Sequence, residues 1–66
     1  MDAREEIARR LRVVMSRRNM TQTALAEATG IDKPRISRYV NGLTKPDVDT
    51  LATLARALEV TLDALI

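Results

Sequence analysis

The chain has 66 residues and no Cys or His, so we expect one small domain over residues 1–66, without disulfides, soft-metal sites or thiol and imidazole catalysis. It has no apolar run near the roughly 18 residues that a membrane span requires, and its N-terminus lacks an apolar signal core. The net charge of +2 divides into +3 over residues 1–20, +2 over residues 21–46 and −3 over residues 47–66, which indicates one side suited to a polyanion.

A first helix is predicted over residues 4–18, because apolar residues recur there at the i, i+4, i+7, i+8 spacing of one helical stripe. The stripe consists of Ile7, Leu11, Val14 and Met15. Glu5 and Arg9 stand at the i, i+4 spacing that favours an ion pair on the helix surface. Asn19 is expected to end the helix, because Asn tolerates the left-handed conformation common at that position.

Two short helices are predicted next, over residues 22–29 and about residues 32–41. Thr21 and Asp32 carry the side-chain oxygens preferred at helix N-caps. Gly30 lies between the two helices, where glycine takes a positive φ at little cost. Two short helices joined by such a turn are typical of a helix-turn-helix, in which the second helix enters a DNA groove.

A fourth helix is predicted after Asp47, its expected N-cap, and a break at residues 59–60 separates it from a last short helix over residues 62–66. The apolar stripe of the fourth helix consists of Val48, Leu51, Ala52, Ala55 and Leu58. The sequence contains no strand pattern and no internal repeat. The predicted fold is therefore all-α, a compact domain of five short helices.

The third helix has two chemically distinct faces. At about 100° per residue, Ile36, Tyr39 and Val40 fall on one inner face. The opposite face carries no acidic residue and consists of Pro34, Arg35, Ser37, Arg38 and Asn41, with Lys33 at the helix start. Arg and Lys donate to guanine, Ser bonds several base edges, a Pro ring contacts a thymine methyl group, and Arg also neutralises phosphate. An ordinary solvated helix face is the alternative interpretation, and the preceding capped helix and Gly turn favour DNA recognition.

The order and spacing of several short segments resemble the lambdoid phage repressor and Cro family, also called the XRE-type helix-turn-helix family. The matching segments are Thr21-Gln22, Leu25-Ala26, Gly30-Ile31, Ile36-Ser37-Arg38-Tyr39, Asn41-Gly42, Lys45-Pro46, Leu51, Ala55 and Leu58-Glu59-Val60. Residues 61–65 resemble the closing helix of that family. The resemblance implies a five-helix, lambda-repressor-like DNA-binding domain with its helix-turn-helix in helices two and three.

The resemblance also implies roles for individual side chains. Those expected to face base edges in the major groove are Lys33, Pro34, Ser37 and Arg38. Those expected to contact DNA phosphates are Gln22, Arg35, Asn41, Thr44 and Lys45, of which Gln22 would also brace the recognition helix. We expect Tyr39 to pack its ring inside the domain with its hydroxyl at the edge.

The sequence departs from the family pattern in two places. The family commonly has a Glu at the position of Val40, paired with an Arg near the position of Met15, and both are apolar here. Packed apolar side chains can replace a buried ion pair without loss of stability, so we predict direct contact between Met15 and Val40. The second departure is Lys33 followed by Pro34, where amide side chains are frequent, which affects the DNA sequence read rather than the docking mode.

The function implied by the resemblance is a sequence-specific double-stranded DNA-binding transcriptional regulator, a repressor. Family members bind as two-fold homodimers on palindromic operators, with half-sites about 34 Å apart. The apolar side chains considered for the dimer surface are Leu43, Leu62, Leu65 and Ile66. We expect Leu62 and Leu65 to belong to the core and Ile66 to be exposed.

Other classes of function fit the sequence less well. A protein-interaction module or antitoxin-type regulator would use the same fold against a partner protein, but an Arg-rich helix face argues against it. Phage Cro-like repressors, restriction–modification controllers and antitoxins all occur among short family members, and the sequence does not choose between them. An enzyme is not expected without His, Cys or an acidic cluster, and RNA stacking is not expected without Phe or Trp. We expect a cytoplasmic protein of bacterial or phage origin, with no metal, cofactor, small-molecule ligand or membrane partner.

Overall fold

A computed structural model describes residues 2–66 of the chain, which form four α-helices and one 3-10 turn. The elements are α1 (Ala3–Arg17), α2 (Gln22–Thr29), α3 (Lys33–Val40), α4 (Val48–Ala57) and the 3-10 turn Leu62–Ala64. None of the described residues forms a strand, and none of their helices is long and apolar enough to cross a membrane. The predicted all-α class is confirmed.

The prediction of a fifth helix over residues 62–66 is wrong. Only a single 3-10 turn forms there, in which Leu65 N–H donates to Leu62 O at 3.0 Å. Thr61 makes no side-chain capping hydrogen bond, so the segment lacks the cap that begins each longer helix. So short a segment gains too few backbone hydrogen bonds to offset the cost of helix nucleation. Fully buried Leu65 holds the turn against the core instead.

Every α-helix begins with a side-chain oxygen that accepts a hydrogen bond from a backbone N–H in the first turn. The pairs are Asp2 with Arg4, Thr21 with Ala24, Asp32 with Arg35 and Asp47 with Thr50. The caps predicted at Thr21, Asp32 and Asp47 are therefore confirmed. Asp2 was not predicted as a cap, and it starts α1 one residue earlier than expected.

The helix ends also follow local chemistry. Asn19 has φ 55° and Gly30 has φ 76°, both in the left-handed region predicted for them. Glu59 has φ 58° and produces the break predicted between the fourth helix and the C-terminal segment. These reversals bring the helices back onto a shared core. They leave α3 packed against both α1 and α2, with α2 packed against α4.

The core is apolar throughout the described residues. It includes Met15 and Val40, the two apolar residues that stand where the family commonly has an Arg–Glu ion pair. Met15 and Val40 are both buried in one cluster with residues from all four helices and Leu65. The largest side chains that are almost completely buried are Leu11, Leu25, Ile36, Leu54, Leu58, Leu65 and Pro46. Direct contact between Met15 and Val40 stays a prediction. Burial of both fits their replacement of a buried ion pair by apolar packing.

The predicted ion pair between Glu5 and Arg9 is wrong. Arg9 pairs with Glu6, and Arg10 Nε also lies 3.2 Å from Glu6 Oε1. Glu6 has one Arg three residues ahead and another four ahead, so one carboxylate serves both. Glu5 lies on the flank of α1 that faces the α3–α4 loop, where its Oε1 is 3.0 Å from the position that a Cβ atom on Gly42 would occupy.

Candidate nucleic-acid interface

The turn between α2 and α3 is held by hydrogen bonds from both backbone and side chain. Gly30 N–H donates to Ala26 O at 2.9 Å, with Gly30 at φ 76° and ψ 4°. The Thr29 hydroxyl donates to Leu25 O at 2.8 Å and accepts from Ile31 N–H at 3.2 Å. These contacts hold Gly30 and Ile31, which lead into α3, against the end of α2. The α2 side of the turn is therefore fixed by hydrogen bonds, while α3 itself is held by packing against α1 and α2.

One face of α3 anchors it in the domain. Ile36 is completely buried, and Tyr39 and Val40 retain at most a few per cent of their accessible surface, 5% and 6%. Pro34 stands in the first turn, where its missing N–H leaves no helical bond unmade. The Asp32 carboxylate accepts from Arg35 N–H at 3.1 Å and caps the helix. The buried face and the cap together fix which side chains α3 presents outward.

Three of the four predicted base-reading side chains are exposed on α3: Lys33, Pro34 and Arg38. Ser37 is half-buried, and its hydroxyl oxygen accepts from Asn41 Nδ2 at 3.2 Å. Asn41 Nδ2 also donates to Ser37 O at 2.9 Å. The Ser37 hydroxyl proton remains available as a donor, because this bond uses only the oxygen. Ser37 therefore has fewer ways to bond a base edge than an unengaged Ser.

Arg35 and Tyr39 form a pair along α3. Arg35 Nη2 donates to Tyr39 Oη at 3.0 Å, and the guanidinium carbon lies 6.0 Å from the ring centroid. Tyr39 thus packs its ring inside and keeps its hydroxyl at the edge, as predicted. The hydrogen bond to Tyr39 raises the pKa of the Arg35 guanidinium above its ordinary value. The hydrogen bond to Tyr39 thus holds the Arg35 guanidinium on the flank of the helix.

The other side chains predicted to contact phosphates lie at the start of α2, at the end of α3 and in the loop that follows α3. Gln22 is half-buried in the first turn of α2, while Thr44 and Lys45 are exposed in the α3–α4 loop. That loop is anchored by fully buried Pro46. It is also tied back to α3, since Leu43 N–H donates to Arg38 O at 2.9 Å. A loop held at both ends can keep its polar side chains in a constant position relative to α3.

The cations of this surface form no ion pair within 4.0 Å in residues 2–66, although the pKa of Arg35, which the hydrogen bond to Tyr39 raises most, is raised further by nearby Asp32 and Asp47. Ion pairs within 4.0 Å in residues 2–66 are confined to the start of α1, at Arg4 with Asp2 and at Glu6 with Arg9 and Arg10. The cations left outside those pairs on and beside α3 are Lys33, Arg35, Arg38 and Lys45. Like charges gathered on one exposed face produce a positive potential that attracts polyanions.

Sequence reasoning missed one contact beside this surface. Arg12 Nη1, on α1, donates to Val40 O at 2.7 Å. The acceptor is a backbone carbonyl at the end of α3, which carries no residue-type signal. Helical spacing places Arg12 at the flank of the apolar stripe, and this position is the only signal in the sequence for a contact between Arg12 and a neighbouring helix.

Comparison with known proteins gives a consistent result. A family model described as "Helix-turn-helix" matches residues 9–65. Two uncharacterised HTH-type transcriptional regulators of Mycobacterium tuberculosis, from strains CDC 1551 / Oshkosh and ATCC 25618 / H37Rv, are each 36% identical over 47 residues. The matched region is 71% of this chain and 34% of each relative, so this chain corresponds to about a third of those proteins. No solved structure gives a significant match.

The family match covers the whole of α2, the turn, α3 and α4, together with most of α1. It includes each segment on which the sequence resemblance rests. The chain therefore belongs to the helix-turn-helix family of the Cro/C1, or XRE, type.

Proposed function

We propose that this domain is a sequence-specific double-stranded DNA-binding regulator of transcription, a repressor, that inserts α3 into the major groove. The observation that carries the proposal is the exposed basic face of α3, which is held outward by its buried face and by the Gly30 turn. The names of the M. tuberculosis relatives agree with a regulatory role. Occupation of an operator by such a domain would exclude other proteins from the same DNA in the cytoplasm.

We assign base reading to one side of α3. Arg38 is exposed and outside any ion pair, so its planar guanidinium is available for two hydrogen bonds to guanine. Lys33 offers a further donor from the first turn, and the ring of Pro34 offers apolar contact to a thymine methyl group. Ser37 contributes one donor, because its oxygen already accepts from Asn41.

We assign phosphate contacts to side chains on both sides of those readers. Arg35 lies in the first turn of the recognition helix and Gln22 at the start of α2, while Asn41, Thr44 and Lys45 follow the end of α3. Phosphate contacts on both flanks would fix the depth and register of α3 in the groove. They would also supply most of the sequence-independent affinity, through release of counterions.

We further propose a two-fold dimer, since one α3 reads too few base pairs for a specific site. Leu65 is buried and Leu62 half-buried, which assigns both to the core of the monomer, while Ile66 is 53% exposed as expected. Ile66 and the 69% exposed Val48 line an apolar groove. The other apolar side chains of the groove are Ala3, Ile7, Pro46 and Leu51. This groove is our preferred dimer surface, and Leu43, 66% exposed in the α3–α4 loop, is the second.

The proposal is tested by selecting binding sites from a random duplex pool and measuring affinity as salt is varied. DNA binding through phosphates predicts that log K falls linearly with log salt, by about 0.9 per phosphate contacted. Base reading predicts that the selected site binds about a thousandfold or more tightly than random duplex. Enrichment of no site, together with salt-independent affinity, would contradict the proposal.

The second candidate function is a protein-interaction module, as in an antitoxin-type regulator. The observation that favours it is the same apolar groove, which in this case a partner protein would cover in place of a second copy of the chain. The two candidates differ in the response to changes on α3. Removing Arg38 should remove base discrimination at one base pair of each half-site if DNA is the partner, and should leave partner binding through the groove unchanged if a protein is.

A further inference from the structure

Arg12 joins α1 to the end of the proposed recognition helix. Its Nη1 donates to Val40 O at 2.7 Å, across 28 positions of sequence. Val40 is the last residue of α3, so the guanidinium stands at the negative end of that helix. The Arg12 side chain nevertheless remains exposed to solvent. The guanidinium is therefore held by one hydrogen bond on a side chain that remains exposed.

The chemistry of the guanidinium leaves Arg12 with unused binding capacity. The group has five N–H donors in a rigid fork, of which one is directed at Val40 O. Arg12 belongs to none of the ion pairs formed by residues 2–66, whereas Arg9 and Arg10 on the same helix both pair with Glu6. Arg12 is therefore a positioned cation whose charge is not compensated by a carboxylate.

The position of Arg12 relates it to the phosphate contacts proposed above. Asn41 directly follows the carbonyl that Arg12 binds, and Thr44 and Lys45 lie just beyond in the same loop. We propose that Arg12 is a further DNA-binding residue, which holds α3 through Val40 O and donates its remaining N–H groups to a phosphate beside Asn41. This inference rests on the proposed function, since it adds a contact to that DNA-binding surface.

A neighbouring carboxylate limits where that phosphate can lie. Glu5 occupies the same flank of α1 and stands against Gly42. It is seven residues from Arg12, or about 10 Å along the helix axis. A phosphate close to Gly42 would be repelled by Glu5, so the proposed phosphate lies on the Val40 side of the turn.

The test compares Arg12→Gln with Arg17→Gln as a matched control. Both variants remove one positive charge from an exposed position on α1, and Arg17 is about 140° around the helix from Arg12. Arg17 lines a separate surface with Val13 and Ala64. Affinity for a selected duplex is measured over a range of salt concentrations, with circular dichroism confirming that each variant is folded.

For Arg12→Gln we expect affinity to fall about three- to tenfold and the salt slope to decrease in magnitude by about 0.9, the value for one phosphate. For Arg17→Gln we expect a small change in affinity and an unchanged slope. Arg12→Lys should keep most of the slope, because it keeps the charge. An unchanged slope in Arg12→Gln, or an equal decrease in Arg17→Gln, would overturn the inference.

A measurement on the unaltered protein covers the case in which Arg12→Gln does not fold. The Nε–Hε signal of Arg12 in an NMR spectrum should shift when the selected duplex is added, and absence of a shift would overturn the inference. Lys45→Ala separates this result from failure of the proposed function. If Lys45→Ala lowers the slope and Arg12→Gln does not, only the role of Arg12 fails; if the unaltered protein binds no duplex, DNA binding itself fails.

Discussion

Tyr39 and Arg35 are joined by a 3.0 Å hydrogen bond from the Arg35 guanidinium to the Tyr39 hydroxyl, one turn apart on α3. The ring of Tyr39 is 5% exposed, so its hydroxyl is fixed by the packing of the core. The core thereby positions a cation on the outer surface. Fixing Arg35 before DNA arrives lowers the conformational entropy lost when it binds a phosphate.

This relationship predicts the effect of Tyr39→Phe. The variant keeps the buried ring and removes only the hydroxyl, so we expect the free energy of unfolding to fall by about 1 kcal/mol or less, the net value of one hydrogen bond. Affinity for random and selected duplexes should fall by the same modest factor, because Arg35 is assigned to phosphate. Urea unfolding and DNA titration measure the two effects. A loss confined to the selected duplex would show that Arg35 reads a base instead.

Gly30 and Gly42 offer a paired test of backbone strain at the two ends of α3. Both have positive φ, 76° and 73°, so replacement by Ala is expected to cost about 1–2 kcal/mol of stability at either site. A Cβ atom on Gly30 would meet nothing within 4 Å, whereas on Gly42 it would meet the Glu5 carboxyl group. Gly42→Ala should therefore destabilise at least as much as Gly30→Ala.

The second half of that test uses Glu5→Ala combined with Gly42→Ala. The double variant should recover only that part of the Gly42→Ala destabilisation that exceeds the destabilisation by Gly30→Ala. The remainder should persist, because it comes from the positive φ and not from contact with Glu5. Midpoints of urea unfolding, with unchanged m-values, provide the comparison. Full stability in Gly42→Ala would contradict the strained conformation assigned to the turn.

Acid should destabilise the domain through its capping and paired carboxylates. Hydrogen bonds from Arg4 lower the pKa of Asp2, a hydrogen bond from Arg9 lowers that of Glu6, and hydrogen bonds from Thr50 lower that of Asp47. A carboxyl group with a lowered folded-state pKa stabilises the fold above its unfolded pKa of about 4. That stabilisation is lost as the pH falls from there through the lowered values.

Asp47→Asn tests the acid prediction with a matched cap. Asn caps helices about as well as Asp and does not titrate, so the variant should keep the hydrogen bond that caps α4 while losing the titrating carboxyl group. Its thermal midpoint should fall less between neutral and acid pH. An equal fall in both proteins would show that Asp47 contributes nothing to the pH dependence.

The parts of the fold that could be predicted from sequence are those set by local chemistry. Thr21, Asp32 and Asp47 cap helices because their own side chains reach N–H groups a few residues ahead. Asn19 and Gly30 end helices for an equally local reason. The inner face of α3 could be predicted from the helical spacing of its apolar residues. Ile36 and Tyr39, which this spacing places on the inner face, are both buried.

The parts that could not be predicted depend on tertiary contacts, which residue type and helical spacing do not show. Glu6 rather than Glu5 binds Arg9, because both spacings are acceptable along a helix and helical spacing does not show that the Glu5 carboxyl group lies beside Gly42. The contact of Arg12 with Val40 O has a backbone acceptor, which every residue possesses. The segment after Thr61 matched a helix by its residues, but forms too few backbone hydrogen bonds to become one.

The most direct test of the account compares Arg38→Ala with Lys45→Ala on a selected duplex and on every single-base-pair variant of it. Arg38→Ala should lose about 1–3 kcal/mol of binding free energy and, at one base pair of each half-site, should no longer distinguish the preferred base from the others. Lys45→Ala should weaken binding to all the duplexes by one common factor and lower the salt slope by about one. Uniform weakening in Arg38→Ala, with every base preference retained, would contradict the assignment of α3 as the helix that reads DNA sequence.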